Sequence, residues 1–220
     1  MENIIIAVDG PAGAGKSTIA KIIAKRLNIN YIDTGAMYRA VALSAKRNNI
    51  KTTEIDSLMN MIDKMEMHFE NDDLILNGVN IQDEITLPEI SEIVSQYASI
   101  PEVRSKLVVL QRKMSEKYNV IMDGRDIGTT ILPNAEVKIY LTASADTRAK
   151  RRALEYEQKG ESFDLDQIRK DIIERDERDM NREISPLKQA DDAVLVDSSE
   201  MGIDQVVDAI LDVYNKKIQK

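Results

Sequence analysis

The chain contains no cysteine and no tryptophan, and among its 220 residues it has one histidine and two phenylalanines. Without cysteine there are no disulfides and no thiolate metal sites. A lone imidazole, His68, rules out histidine-based zinc clusters and histidine-dependent triads. No apolar run approaches the ~20 residues needed to span a bilayer. The first strand-like run begins at Ile4 and leaves no room for a signal peptide, so a cytoplasmic protein without membrane attachment is expected. Basic charge is also scarce: 30 Lys and Arg stand against 38 Asp and Glu, a net charge of −8. That balance argues against a long nucleic acid as partner, because its phosphates need a basic footprint. It leaves room for a small nucleotide, for which local clustering matters more than the total. The remaining composition, 43% hydrophobic and 31% charged, is that of a globular protein. The length suits one full core with at most a small inserted lobe.

One stretch organises the rest. Gly10-Pro11-Ala12-Gly13-Ala14-Gly15-Lys16-Ser17 fits the phosphate-binding template G-x-x-x-x-G-K-[ST] at every fixed position. It follows Ile4-Ile5-Ile6-Ala7-Val8, which has the length and branched content of a buried parallel strand. Residues 17–27 then carry Ile19, Ile22, Ile23 and Leu27 at helical spacing. The glycines let the backbone curl so that several N–H groups face one anion. The helix start contributes partial positive charge and Lys16 a full one. Ser17, with Thr18 beside it, is placed to put a hydroxyl on Mg²⁺. The stretch 10–18 therefore predicts a nucleoside triphosphate site.

Further along, 28–32 reads as a turn into a short strand. Asp33-Thr34-Gly35 follows, and helical spacing resumes over 36–46. Asp33 and Thr34 have two readings, a ligand-binding strand end or a helix N-cap. Residues 49–100 break the strand–helix rhythm. A helix over 54–65, short strands at 67–70, 74–76 and 79–81, and an Asn77-Gly78 hairpin signal predict a small lobe with antiparallel strands. His68 is a strand residue there with no catalytic work, and the methionines at 59, 61, 65 and 67 are flexible packing. Pro88 and Pro101 open helices to about Tyr97 and Lys117. The strand 119–123 ends in Asp123, which suits the second carboxylate motif of P-loop proteins and makes Asp123 a second candidate for the metal. A strand at 136–141, a basic helix over 145–157, a charged helix over 165–182, a strand at 193–197 and a closing helix over 203–218 complete the chain. Core strands at 4–8, 30–32, 119–123, 136–141 and 193–197 make five. The fold class expected is α/β, a five-stranded parallel sheet flanked by helices.

Seven arginines, at 148, 151, 152, 169, 175, 178 and 182, fall within 35 residues of this acidic chain. Arg175, Arg178, Asp179 and Arg182 are spaced to share one helix face. Two readings remain open for that face. One is a solvated surface stitched by Asp171–Arg175 and Glu174–Arg178. The other is a mobile fork closing on phosphates, which guanidinium bonds bidentately.

Taken together, Asp9–Lys16, Asp33-Thr34-Gly35-Ala36-Met37-Tyr38-Arg39, Asp123-Gly124-Arg125-Asp126-Ile127-Gly128-Thr129 and Glu174-Arg175-Asp176-Glu177-Arg178-Asp179 resemble the bacterial cytidylate kinases. The resemblance runs along nearly the whole chain. It implies a single nucleoside monophosphate kinase domain, with a core over about 1–48, 101–145 and 184–220. A monophosphate-binding lobe would cover about 49–100 and an arginine-rich lid about 146–183. It implies transfer from ATP to CMP or dCMP with Mg²⁺, in a protein whose default state is a monomer. Carried over residue by residue, Arg39 and Arg125 would grip the CMP phosphate. Ser95, Arg104, Asp126 and Arg182 would line the cytosine site, and Arg175 and Asp179 would reach the pentose. Thr34 joins the CMP-binding set; Lys16, Arg125, Asp126 and Arg182 form the catalytic set. Arg148, Arg151 and Arg152 fall near the lid, with their ATP contacts unassigned. Ser17 stands where the family often has glycine, restoring the general P-loop hydroxyl. Thr34 stands in place of a frequent serine and adds a methyl.

The chemistry implied is in-line transfer without a general base, since a phosphate monoester has lost its second proton above pH ~6. Alignment, charge neutralisation and exclusion of water remain as the tasks, with Gly160 a hinge for the lid. Two rivals stand beside this reading. A kinase for a small alcohol would need a base, and Asp33 is the candidate. A nucleotide-gated switch would turn over slowly; its GTPase version lacks an Asn-Lys-x-Asp stretch here.

Overall fold

The computed structural model describes residues 4–116, 118–158 and 160–218. In chain order the elements begin with β1 (Ile5–Asp9), α1 (Lys16–Leu27), β2 (Asn30–Asp33), α2 (Thr34–Arg47) and α3 (Ile55–Ile62). There follow β3 (Met67–Glu70), β4 (Asp73–Leu76), β5 (Val79–Asn80), α4 (Gln82–Ile85), α5 (Pro88–Ala98) and α6 (Pro101–Ser115). The chain closes with β6 (Val120–Gly124), a π-helical turn (Ile127–Ile131), β7 (Val137–Thr142), α7 (Ala145–Gln158), α8 (Leu165–Met180), β8 (Val194–Asp197) and α9 (Ile203–Ile218). The contacts divide into two compact units, one of Met1–Asn30 and Asn119–Lys220, the other of Tyr31–Tyr118. Among the described residues no helix is long and apolar enough to cross a membrane.

The large sheet is parallel, in the order β2-β6-β1-β7-β8. Its middle strands are near-continuous Ile, Val, Leu and Met runs because both faces are covered. Ile6, Val8, Ile121, Met122, Ile139 and Leu141 are all buried. Helix α1 covers the sheet with Ile19, Ala20, Ile23 and Ala24, and α9 adds Val206, Val207 and Ile210. At the edge, β8 leaves Leu195 exposed. Parallel pairing sets the carboxyl ends of β1, β6 and β7 side by side, with Asp9 level with Gly124 and Tyr140. Loops leaving that end of an open α/β sheet are where ligands bind.

The second unit has its own core, formed by Met37, Val41, Leu58, Leu74, Ile81, Ile85, Ile90 and Leu107 among others. Met67 is buried in it, and Met59, Met61 and Met65 pack against it. The three-stranded sheet β3-β4-β5 is antiparallel. Asn77 and Gly78 both take positive φ, as a two-residue hairpin turn requires. His68 sits on β3, paired with Glu70 at 2.9 Å and exposed.

Several boundaries differ from those the sequence predicts, each for a local reason. Helix α2 starts at Thr34 and not at 36, because Asp33 caps it by accepting the Ala36 N–H at 2.9 Å. The helix expected over 54–65 is shorter, Ile55–Ile62. Helix α4 and the π-helical turn have no expected counterpart. The helix opened by Pro101 is described to Ser115, and its expected end at Lys117 lies outside the described residues. Helix α8 ends at Met180, so Arg182 is not on its face. There the chain turns back, and the N–H of buried Leu187 bonds the Asp179 carbonyl at 2.8 Å. Arg178 also departs from the expected shared face. It is exposed, and its Nε donates to the Glu174 carbonyl at 3.2 Å. The inward stripe is Ile168, Ile172, Arg175, Asp176 and Asp179.

Gly10 leaves β1 with φ 149°, and a Cβ there would sit 1.9 Å from the Leu141 carbonyl oxygen of β7. That neighbour is backbone and cannot swing away. Gly10→Ala is therefore expected to destabilise by at least about 2 kcal/mol, lowering the melting temperature by roughly 4–8 °C. An unchanged thermal melt would contradict this packing.

Candidate active site

The loop 10–15 runs from the end of β1 into α1 through Gly15, whose φ of 91° is left-handed. Three of its carbonyls accept hydrogen bonds from basic side chains. Lys16 Nζ donates to Pro11 O at 2.8 Å, Arg148 Nη1 to Ala12 O at 3.0 Å and Arg151 Nη1 to Ala14 O at 3.3 Å. A peptide plane is rigid, so pinning a carbonyl on one side aims the next N–H to the other. These ties restrain a glycine-bearing loop of the kind whose successive N–H groups bind phosphate.

The two arginines are themselves fixed. Arg148 is buried, donates Nε to Ala143 O at 2.9 Å and pairs with Asp176 at 2.6 Å. Arg151 also bonds the Ser198 hydroxyl at 3.2 Å and the Ser198 carbonyl at 2.8 Å. Arg152 lies away from the loop, paired with Glu155 at 2.7 Å and over the Tyr156 ring. Nothing in the sequence separates these three, which share one basic helical stretch.

Lys16 is buried. Burial and the Arg125 and Arg175 charges push its pKa down to about 7, while Asp123 and Asp9 pull it back up. Ser17 Oγ donates to Asp123 Oδ2 at 3.0 Å. This hydroxyl–carboxylate pair is the oxygen-only donor set that suits Mg²⁺, which takes one or two protein oxygens and completes its shell with phosphates and water. Among the described residues no group of three or more His, Asp or Glu is arranged to hold a metal alone. Asp9 is buried, with Oδ1 accepting the Ile127 N–H and Oδ2 the Gly128 N–H, both at 2.7 Å. Burial pushes the Asp9 carboxyl up to about 6 against the pull of those two bonds.

The same unit gathers five of the expected acceptor residues. Arg125 Nε donates to Asp179 Oδ2 at 2.9 Å, and Arg182 Nε donates to the Asp179 carbonyl at 3.3 Å. Burial pushes the Asp179 carboxyl up, but Arg125, Arg182 and Arg175 outweigh it and hold the group below the ordinary carboxylate range. Asp126 is buried at the start of the π-helical turn. In the second unit Thr34 is the buried first residue of α2, and Arg39 pairs with Asp33 at 2.8 Å. Arg104 is buried, donates to Ala98 O at 3.2 Å and lies 5.3 Å from the Tyr38 ring centre. Ser95 is half-buried on α5. Both Asp33 oxygens are thus committed, one to the helix cap and one to Arg39.

A glycine loop between parallel strand and helix, a buried lysine, a Ser–Asp oxygen pair and a cluster of arginines define a P-loop phosphotransferase. Within that class, the family model described as cytidylate kinase matches residues 6–216, and the chain belongs to that family. A cytidylate kinase of Clostridium perfringens is 58% identical over 207 residues, covering 94% of this chain and 95% of the relative. One from Clostridium acetobutylicum is 55% identical over 213 residues, covering 97% and 98%. Among solved structures, a shikimate kinase from Bacteroides thetaiotaomicron superposes with a TM-score of 0.51 at 12% identity, covering 99% of each chain. An uncharacterized protein from Eubacterium ventriosum gives 0.54 at 16% identity, covering 96% and 97%. These two likenesses show the fold.

The depressed lysine generates a measurable consequence. Above about pH 7 the free protein carries Lys16 mostly neutral, whereas a bound polyphosphate favours the ammonium and raises its pKa. Binding of ATP in EDTA at about pH 8 is expected to take up a large fraction of a proton, and less near pH 6, where Lys16 is already charged. Calorimetry in Tris and in HEPES reads the uptake from the difference in enthalpy. Equal observed enthalpies in the two buffers at about pH 8, which mean no proton uptake, would contradict the depressed pKa.

Proposed function

We propose that the chain transfers the γ-phosphoryl group of ATP to CMP or dCMP, giving CDP or dCDP and ADP, in pyrimidine nucleotide metabolism. Family membership carries the reaction, and the observation that carries the site is the pinned loop with buried Lys16 at its helix end. Loop residues 10–18 would hold the ATP phosphates. Ser17 and Asp123 would hold Mg²⁺, which when bound neutralises charge on the phosphate oxygens. Thr34, Arg39, Ser95 and Arg104 in one unit, and Arg125, Asp126, Arg175, Asp179 and Arg182 in the other, are the proposed acceptor ligands. Arg39 and Arg125 would take the phosphate; Ser95, Arg104, Asp126 and Arg182 the base; Arg175 and Asp179 the pentose.

The acceptor's own phosphate is dianionic near neutrality and attacks without a base. Lys16, Arg125 and Arg182 offset the charge of the transferring group, which is most of what phosphoryl transfer asks of a protein. Water must be excluded, and the lid over 146–183, with Gly160 between α7 and α8, is the segment proposed to close. The lobe over about 49–100 and the core around it are parts of one kinase domain in this reading. A cytoplasmic monomer that uses small nucleotides, with no nucleic acid or membrane partner, completes this reading, and the net charge of −8 is the reverse of a nucleic-acid footprint.

The alcohol-kinase reading needs Asp33 as a base, whereas in the structure its oxygens accept from the Ala36 N–H and from Arg39, a capping and ion-pairing role. Two variants divide the readings. Arg125→Ala should lower kcat at least about 10²-fold with ATP affinity within about twofold. Asp33→Asn should lose only moderate activity, against the 10²–10⁴-fold loss expected of a missing general base. An unimpaired Arg125 variant, or an Asp33 variant that is nearly dead but folded, would overturn the assignment.

A further inference from the structure

We propose that Asp9 is a positioning residue for phosphoryl transfer: it locks the segment carrying Arg125 and Asp126 to the start of the phosphate loop. The inference rests on the acceptor role of Arg125 and Asp126 set out under the proposed function.

Asp9 is the last residue of β1 and the immediate neighbour of Gly10, so its main chain is the root of the loop. Its side chain is only 4% exposed together with its backbone, and it spends both carboxylate oxygens on one target. Oδ1 takes the N–H of Ile127 and Oδ2 that of Gly128, at 2.7 Å each, across 118 and 119 residues of sequence. Those amides open the π-helical turn, where the first donors have no partner within the turn. Asp126 occupies the N-cap position but makes no side-chain capping bond. The capping is done from another strand, by Asp9.

Gly128 is part of the same device. A Cβ there would lie 3.3 Å from Asp9 Oδ2 and 3.1 Å from Cδ of Lys138. A side chain would press on the carboxylate from one side and on the packed lysine stem from the other. Glycine lets the carboxylate reach two consecutive N–H groups. Two donors side by side need two acceptors on one carbon, and among side chains only a carboxylate provides them. An asparagine would turn an NH₂ toward one N–H. Charge-assisted bonds of this kind are short and strong, which offsets part of the cost of burying the carboxylate.

The consequence falls on Arg125 and Asp126, two and one residues ahead of the first anchored amide, that of Ile127. Their distance from the loop is fixed by a tie that touches neither substrate. Displacement of reacting groups by about 1 Å costs on the order of 10²-fold in rate. A merely structural role predicts a lower melting temperature and normal kinetics per folded molecule. A positioning role predicts a selective acceptor defect.

The test compares the wild type with Asp9→Asn and Gly128→Ala, each checked for folding by circular dichroism. With Mg·ATP as donor, Asp9→Asn should lower kcat/KM for CMP by about 10²-fold, part of it in kcat, while ATP affinity stays within about twofold. Gly128→Ala, which keeps every carboxylate oxygen, should shift the same parameters in the same direction by a smaller factor. It carries the test alone if Asp9→Asn fails to fold. Normal CMP kinetics in a folded variant, or equal losses of ATP binding and turnover that track the folded fraction, would overturn the proposal. Wild-type turnover of CMP is the control. If that is missing, the reaction assignment fails; if it is present beside unimpaired variants, only the role of Asp9 fails.

Discussion

Backbone amides bind a polyphosphate well only if the loop that bears them is held before the ligand arrives. In this chain that restraint comes from Lys16, Arg148 and Arg151, which bond the carbonyls of Pro11, Ala12 and Ala14. The pinned carbonyls orient the amides, so the electrostatic work is done during folding and not at the moment of binding. The helix start at Lys16 and the lysine's own charge add to a field already in place. The buried lysine sits where its protonation responds to an incoming anion, because burial and two arginines have weakened its hold on the proton.

The same arrangement explains how so many arginines are carried without a ligand. Arg125 is matched by Asp179, Arg148 by Asp176 and Arg39 by Asp33. The Arg148–Asp176 pair is buried and the other two are half-buried, and an ion pair out of water contributes little net stability, since desolvation consumes most of the attraction. Its value lies in keeping guanidinium groups ordered in low-dielectric surroundings. Under the proposed function, a nucleotide phosphate would compete with or join the carboxylate already beside Arg39 or Arg125. Arg148 has no such freedom, being tied to Ala12, Ala143 and Asp176 at once. Within the first unit the arginines thus divide into Arg148 and Arg151, which hold the loop, and Arg125, paired with Asp179.

Much of this was legible in the residues. The strand–glycine loop–helix stretch and the five core strands follow from periodicity and a motif whose chemistry admits few alternatives. So does the hairpin-bearing lobe. What escaped depended on contacts between distant parts of the chain. Asp33 reads as either ligand or cap, and only the Ala36 N–H and Arg39 decide it. Helical spacing put Arg178 and Arg182 with Arg175, but α8 stops at Met180 and Arg178 faces outward. The π-helical turn after Asp126 is stabilised by a side chain more than a hundred residues away, so no local pattern announces it. Likewise, nothing in the run from Arg148 to Arg152 marks which arginine reaches back to a loop carbonyl.

The most direct measurement is ADP formation from Mg·ATP against a panel of acceptors: CMP, dCMP, UMP, AMP, GMP and several small alcohols. Rapid turnover with CMP and dCMP, and little with AMP or GMP, is the predicted result. Turnover only with an alcohol would contradict the phosphate-acceptor chemistry and return attention to Asp33. Slow ADP release that no acceptor accelerates, in folded ATP-binding protein, would contradict the transfer reaction itself and favour a nucleotide switch.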